Sequence, residues 1–178
     1  MSGVRVELVH TGLLAPAVLA EARGLLDAVF AGELTDDDWA HCLGGLHALV
    51  RTGDALVAHG ALVQRRLLLG GRVLRAGYVE GGAVRADVRR RGLGHALMAP
   101  LEEAGRRAYD VVALATSDEG APFYAARGWL PWQGPTCALT PDGVVRTPDD
   151  DDCVLVLPGP GLDRSAALTC DWREGDPW

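Results

Sequence analysis

Three consecutive arginines, Arg89, Arg90 and Arg91, run into Gly92, Leu93, Gly94 and His95 within the stretch AVRADVRRRGLGHALMAPLEEA, between Ala83 and Ala104. Leu93, Leu97, Leu101, Ala104 and Ala108 recur at helical spacing, so the glycines stand at a helix entrance. A helix start carries backbone N–H groups with no intrahelical partner, and the helix dipole adds partial positive charge at the same end. Glycine lets a ligand approach the backbone, and guanidinium groups add charge-assisted hydrogen bonds. The chemistry these residues offer is therefore the gripping of an anion. A Walker-type loop requires Gly-Lys-Ser/Thr, and the chain contains no lysine. A dinucleotide fingerprint requires a third glycine where Leu97 stands. With both excluded, the pattern Arg89-x-x-Gly92-x-Gly94 is what remains.

Opposite chemistry lies elsewhere in the chain. Glu33 and Asp36 to Asp38 form one acidic run, Asp149 to Asp152 a second, and Asp171, Glu174 and Asp176 a third, with Trp39, Trp172 and Trp178 beside them. Any one run alone reads as solvated surface, but three runs beside indole rings suit a polycation, because aromatic faces stack on sugars and hold ammonium groups. The net charge of −7 argues against nucleic acid and anionic membranes as partners and favours a cationic one. The five histidines show neither H-x-x-x-H nor H-E-x-x-H spacing, so no metal site is expected. Cys42, Cys137, Cys153 and Cys170 contain no CxxC pair and are expected as free thiols.

The elements that must position these groups can be read from periodicity. VRVELVH alternates as a first strand, and Pro16 to Phe30 reads as a helix with proline near its start. AGELTDDDW reads as a polar loop. The stretch from Asp54 to Val84 reads as consecutive strands turned at Gly70–Gly71, a hairpin signal. Pro100 falls inside the helix that succeeds the arginines, where an interior proline costs about 3 kcal/mol, so a kink or an early end is expected there. DVVALAT reads as a buried strand, PFYAARGW as a short helix stopped by Gly128, and CVLVLP as a late strand. No repeat, linker or second-domain boundary appears, and no segment has the layout of a signal peptide or membrane span, so one cytoplasmic domain over residues 1–178 is expected. A strand meander and then strand–helix alternation predict an α/β (α+β) chain whose mixed sheet carries helices on both faces.

The Arg89-x-x-Gly92-x-Gly94 pattern resembles the Q/R-x-x-G-x-G/A loop of the GNAT superfamily of acyl-CoA-dependent N-acyltransferases. YVEGGAV precedes it where that family has its central strand, and FYAARGW comes after a buried strand as the family's aromatic–tyrosine and glycine–aromatic ending does. Longer stretches, FAGELTDDDWAHCLGGLHALV, GYVEGGAVRADVR, RGWLPWQGPT, RTPDDDDCVLVLP and CDWREGDPW, are similar to the aminoglycoside 2'-N-acetyltransferases, and the similarity spans nearly the whole chain.

The resemblance implies a GNAT fold with a mixed, mostly antiparallel central sheet, acetyl-CoA as cosubstrate, no metal, a polycationic aminoglycoside acceptor and a homodimer. It implies that Gly82, Ala83, Val84 and the loop Arg89, Arg90, Arg91, Gly92, Leu93, Gly94 and His95 hold the coenzyme. Substrate amines and hydroxyls fall to Glu33, Asp38, Glu80, Gly81, Asp150, Asp176 and the terminal carboxylate of Trp178. Glu80, on the strand just before two glycines, is the candidate base, acting directly or through water, and Tyr124 is the candidate acid. Direct attack needs no cysteine nucleophile. Two alternatives stay open: another acceptor, whether a polyamine, a peptide amine or an envelope amino sugar, and a non-catalytic binder of cationic antibiotics, which would have no use for a pyrophosphate cradle.

Overall fold

The computed structural model describes residues 3–159 and 161–178. The chain divides into two compact units, Met1–Val63 with Val79–Ala104, and Gln64–Tyr78 with Gly105–Trp178. Three long elements, β3 (Ala55–Leu69), β4 (Arg72–Val84) and α3 (Leu93–Ala108), contribute residues to both.

In the first unit, β1 (Val4–His10) pairs antiparallel with β2 (Leu46–Thr52), and β2 pairs antiparallel with the first part of β3. Helix α1 (Pro16–Val29) starts on its proline, as expected, and buries Ala22, Leu25 and Leu26. The polar stretch expected as a loop instead holds a helix, α2 (Asp36–His41). Its cause is a capping box: Asp38 N–H donates to Thr35 Oγ1 at 3.1 Å, while Thr35 N–H and O–H donate to Asp38 Oδ2 at 2.9 and 2.8 Å. The arginine stretch leads into α3 as expected, but the helix neither ends early at Pro100 nor loses its last turns; it runs on to Ala108. Leu93, Leu97, Met98 and Leu101 are all buried along it, and together they contribute roughly 6 kcal/mol or more, which outweighs the proline's cost of about 3. Gly60 of β3 lets α3 lie close, since a Cβ there would sit 3.2 Å from Leu101 Cδ1 and 3.6 Å from Leu97.

The second unit is a sheet built on β5 (Val111–Ala115), β6 (Leu130–Pro131), β7 (Thr136–Thr140), β8 (Gly143–Arg146), β9 (Val154–Leu157) and β10 (Leu168–Cys170), together with the remaining parts of β3 and β4. Its strand order is β6-β9-β5-β4-β3-β10-β7-β8. The pairs β4/β5 and β10/β7 are parallel, whereas β5/β9, β6/β9, β7/β8 and β10/β3 are antiparallel, giving the expected mixed, mostly antiparallel sheet. Gly70 and Gly71 both have positive φ, +55° and +79°, as a two-residue hairpin turn with native strand twist requires. An ion pair between buried Arg65 and half-exposed Asp171 anchors the chain after β10: Arg65 Nε donates to Asp171 Oδ1 at 2.8 Å, and the guanidinium lies 4.8 Å over the Tyr78 ring. Beyond helix α4 (Ala121–Ala125), Gly128 has φ +87°, the expected stop.

One feature of β4 stands out in the first unit. Gly81 has φ +55°, left-handed backbone inside a strand, which is the conformation of a glycine bulge. A Cβ there would meet Cys42 Sγ at 2.6 Å, Leu26 Cδ1 at 3.1 Å and His59 Nδ1 at 3.6 Å. Conformation and space both demand glycine. His59 and its neighbour His47 are fully buried. Burial holds the His59 imidazole down at about 4 and keeps His47 below its ordinary value, with like charge from His10 adding to the effect on His47.

Gly81→Ala is expected to destabilise the fold by about 2 kcal/mol or more, from the left-handed φ and the overlap combined, as read by urea denaturation. Adding Cys42→Ala removes the overlap alone and should restore part of that loss. The depressed histidines set a pH signature. Their neutral forms are favoured by folding, so the stability they contribute is complete above about pH 6.5 and is lost as pH falls toward 4, by roughly 3 kcal/mol for His59. Unfolding free energies measured across that window should fall steadily; a flat profile would contradict neutral burial of the pair.

Candidate active site

The residues flanking the left-handed step at Gly81 differ in exposure. Glu80 is half-buried, Gly82 is exposed and Ala83 is buried. Arg85 N–H donates to Val57 O at 2.9 Å, which ties the end of β4 back to β3. A 3-10 turn over Ala86–Val88 then delivers the arginine loop. Arg89, Arg90, Arg91, Gly92 and His95 are exposed, whereas the Leu93 side chain is buried, so Leu93 can offer a ligand only its main chain. Arg90 and Gly92 have φ of +62° and +80°. A Cβ on Gly92 would meet nothing within 4 Å, so glycine is required there for backbone conformation rather than space. Arg89 Nε donates to Val84 O at 3.2 Å, which anchors that side chain across the loop. No carboxylate lies in the first turn of α3. Exposed guanidinium groups around a long helix's first turn fit the binding of a diphosphate.

The acidic residues divide by what they touch. In the first unit Asp36 bonds Arg23 at 3.0 Å and Asp38 closes the capping box, whereas Glu33 is exposed just after the left-handed pair Ala31 and Gly32. Cys42 Sγ–H donates to Asp38 O at 3.4 Å and packs against the Gly81 backbone, so α2 and the bulge share one contact.

In the second unit Asp151 accepts from Thr136 N–H and Oγ1–H, both at 2.8 Å, and from Arg146 at 2.7 Å. Those donors hold its carboxyl well below the usual range, Arg146 contributing most. Asp171 is likewise engaged by Arg65. Both belong to the scaffold. Asp150 behaves differently, because burial and then the nearby Asp176 push its carboxyl up. Asp176 Oδ1 accepts from Trp178 N–H at 3.0 Å, and buried Trp178 donates its indole N–H to Thr147 Oγ1 at 3.0 Å. Arg173 donates to the main-chain oxygens of Asp176 and Trp178, each at 2.7 Å. The structure thus brings Asp150, Asp176 and Trp178 together in this unit, whereas in the other Asp38 is linked to Gly81 through Cys42.

Tyr124 lies half-buried on α4, its ring edge-on to Trp129 at 5.8 Å and to Phe123 at 5.1 Å. The cysteines are free, as expected. Burial pushes the Cys170 thiol up to about 11 and raises Cys153 as well, which suits neither to act as a nucleophile. Among the described residues no group of three or more His, Cys, Asp or Glu is placed to hold a metal ion, and no helix is long and apolar enough to cross a membrane. Sequence reasoning missed the His47–His59 pair, because metal spacing is the only histidine pattern it weighs.

Residues 14–131 match the family described as Acetyltransferase (GNAT) domain. An aminoglycoside 2'-N-acetyltransferase from Mycolicibacterium fortuitum is 49% identical over 176 residues, covering 96% of this chain and 90% of that protein. Among solved structures, Escherichia coli ElaA superposes with a TM-score of 0.60 at 21% identity, over 86% of this chain and 99% of that one. A GCN5-related N-acetyltransferase from Kribbella flavida gives 0.59 at 22% identity over 74% of this chain and 34% of that one, so this chain spans about a third of that protein's length. Acetyltransferases of this kind use acetyl-CoA as cosubstrate. With nearly full-length identity to one relative and a family match across two thirds of its residues, the chain belongs to the GNAT acetyltransferases and, within them, to the aminoglycoside 2'-N-acetyltransferase family.

Proposed function

We propose that this protein transfers the acetyl group of acetyl-CoA to the 2'-amine of an aminoglycoside by direct attack, with Glu80 as base and Tyr124 as acid. The observation that carries this reading is the 49% identity, over 96% of the chain, to the Mycolicibacterium fortuitum enzyme. The exposed arginine loop supports it, since a protein that merely sequestered cations would need no anion cradle. The main chain at Gly82, Ala83 and Val84, with Arg89 to His95, holds the coenzyme. Glu33, Asp38, Asp150, Asp176 and Trp178 serve the cationic acceptor. The two units act as one acetyltransferase domain, paired as a homodimer in the cytoplasm, where acetyl-CoA is supplied.

The chemistry needs two proton transfers. An ammonium group is not a nucleophile, so the Glu80 carboxylate takes a proton from it, directly or through one water. The nitrogen lone pair then forms a bond to the thioester carbonyl carbon, polarised by a main-chain N–H at Ala83 or Val84. As the C–S bond breaks, the Tyr124 hydroxyl gives its proton to the departing sulfur and recovers one from the nitrogen through solvent. Acetamide, thiol and one released proton balance the equation.

The direct test incubates the protein with acetyl-CoA and a panel of amines, monitors thiol release, and locates the acetyl group by mass spectrometry and NMR. Aminoglycosides acetylated once, on the 2'-nitrogen, are expected; thiol release only with peptide amines or simple polyamines would move the assignment to another acceptor. Glu80→Gln and Tyr124→Phe should each lower kcat by about 10- to 10⁴-fold while calorimetric binding of acetyl-CoA persists. Raising ionic strength from about 0.05 to about 0.5 M should raise KM for the aminoglycoside several-fold, because salt screens exposed carboxylates; an unchanged KM would remove charge attraction from the account.

A further inference from the structure

Two histidines, His47 and His59, are sealed inside the first unit and neither donate nor accept a proton in the acid–base steps. They form part of a continuous hydrogen-bonded chain. His59 Nδ1 lies 3.1 Å from Gly81 O, His47 Nδ1 lies 2.9 Å from His59 Nε2, and Thr11 Oγ1 lies 2.7 Å from His47 Nε2. Thr11 Oγ1 also accepts from Gly44 N–H at 3.0 Å and lies 3.1 Å from Gly45 O.

The direction of the chain can be deduced. A carbonyl only accepts, so His59 carries its proton on Nδ1. Both rings are buried and neutral, so His59 Nε2 must accept, which places the His47 proton on Nδ1 as well. His47 Nε2 then accepts from the Thr11 hydroxyl. Every polar atom along the chain is satisfied by this one assignment, and its fixed end is the Gly81 carbonyl.

We infer that His59, held in its tautomer and orientation by His47 and Thr11, is a positioning residue for acetyl transfer: its Nδ1–H fixes the Gly81 carbonyl, and with it the left-handed step at Gly81 that aims the preceding Glu80 side chain. The inference rests on the reading of Glu80 as base. His59 itself touches no reacting atom. Two further contacts fit the role. Gly81 takes a left-handed step inside the strand, and His59 donates to the carbonyl at that step. The same ring packs 6.2 Å from the ring of Trp39, which sets α2 against the histidine that orients Glu80. Two apolar side chains would fill the volume of the histidines equally well, but they would take the imidazole donor away from the Gly81 carbonyl.

Two substitutions separate orientation from mere filling. In His59→Asn the amide nitrogen sits as many bonds from Cα as Nδ1 does and can still donate to Gly81 O; in His59→Gln the nitrogen sits one bond further out, in the place of Nε2. His59→Gln is expected to lower kcat by about 10-fold or more with KM for acetyl-CoA changed less than about threefold, and His59→Asn to keep kcat within about threefold of wild type. Equal kcat in the two variants would overturn the inference. The wild-type protein gives a second readout that no variant's folding can obscure: long-range ¹H–¹⁵N spectra of the imidazoles should show both His47 and His59 as neutral Nδ1–H tautomers, and an Nε2–H form at His59 would overturn it outright. Glu80→Gln assayed alongside keeps the two readings apart. If it turns over normally the base assignment falls, whereas a slow Glu80→Gln beside a normal His59→Gln sinks only the positioning role.

Discussion

Gly81 is the point on which the site depends, because there a strand must take a left-handed step in a place with no room for a side chain. Leu26 of α1, Cys42 at the end of α2 and His59 of β3 all close on that one backbone position. Three separate elements therefore register against a single atom-sized gap. Glu80 stands directly before that step and Gly82 to Val84 directly after it. The segment beyond is geometrically coupled to it: the end of β4 is tied to β3 through Arg85 and Val57, a short turn presents the arginines, and α3 begins with its first turn bare of carboxylates. Gly60 lets that helix settle closely on β3, so a second glycine fixes the other side of the same assembly.

Charge is organised as economically as shape. The net charge of −7 conceals a division between carboxylates that build the protein and carboxylates left for something else. Asp151 and Asp171 are saturated by donors and hold strands and loops in place. Asp150 is half-buried beside Asp176 and is pushed up by that neighbourhood, a strain that a docked cation would relieve. Positive charge is concentrated at Arg89 to Arg91, with the helix start behind it. The first unit thus carries a group of residues that favours an anion, and the second a pair of carboxylates that favours a cation.

Much of this was legible in the residues. The Gly70–Gly71 hairpin, the helix from Pro16 and the Gly128 stop are local effects of one or two side chains, and local patterns express them. The arginine–glycine loop was legible for the same reason. Helix α2 was not, because Thr35-x-x-Asp38 is a capping signal hidden among four acidic residues that read as solvent-facing. At Pro100 the early end is the part not realised: the penalty of one residue is outweighed by the buried stripe around it, and the helix continues. The histidine pair left no local trace at all. His47 lies opposite Ala61 and His59 opposite Leu49 in the antiparallel β2/β3 register, so the two rings are diagonal neighbours across strands, twelve residues apart in sequence. Only pairing brings them together, and only the bulge gives them a carbonyl to hold. The split between structural and available aspartates was equally hidden, since it depends on partners such as Arg65 and Arg146 far along the chain from the acidic runs or across a turn.

The most direct test is a crystal structure of the protein with coenzyme A and an aminoglycoside bound together. The diphosphate is expected on the main chain and guanidinium groups of residues 89 to 95, and the 2'-nitrogen within hydrogen-bond reach of Glu80, directly or through a single water. A diphosphate seated away from that loop, or a Glu80 carboxylate turned from the amine while Gly81 keeps its left-handed step, would contradict the central claim.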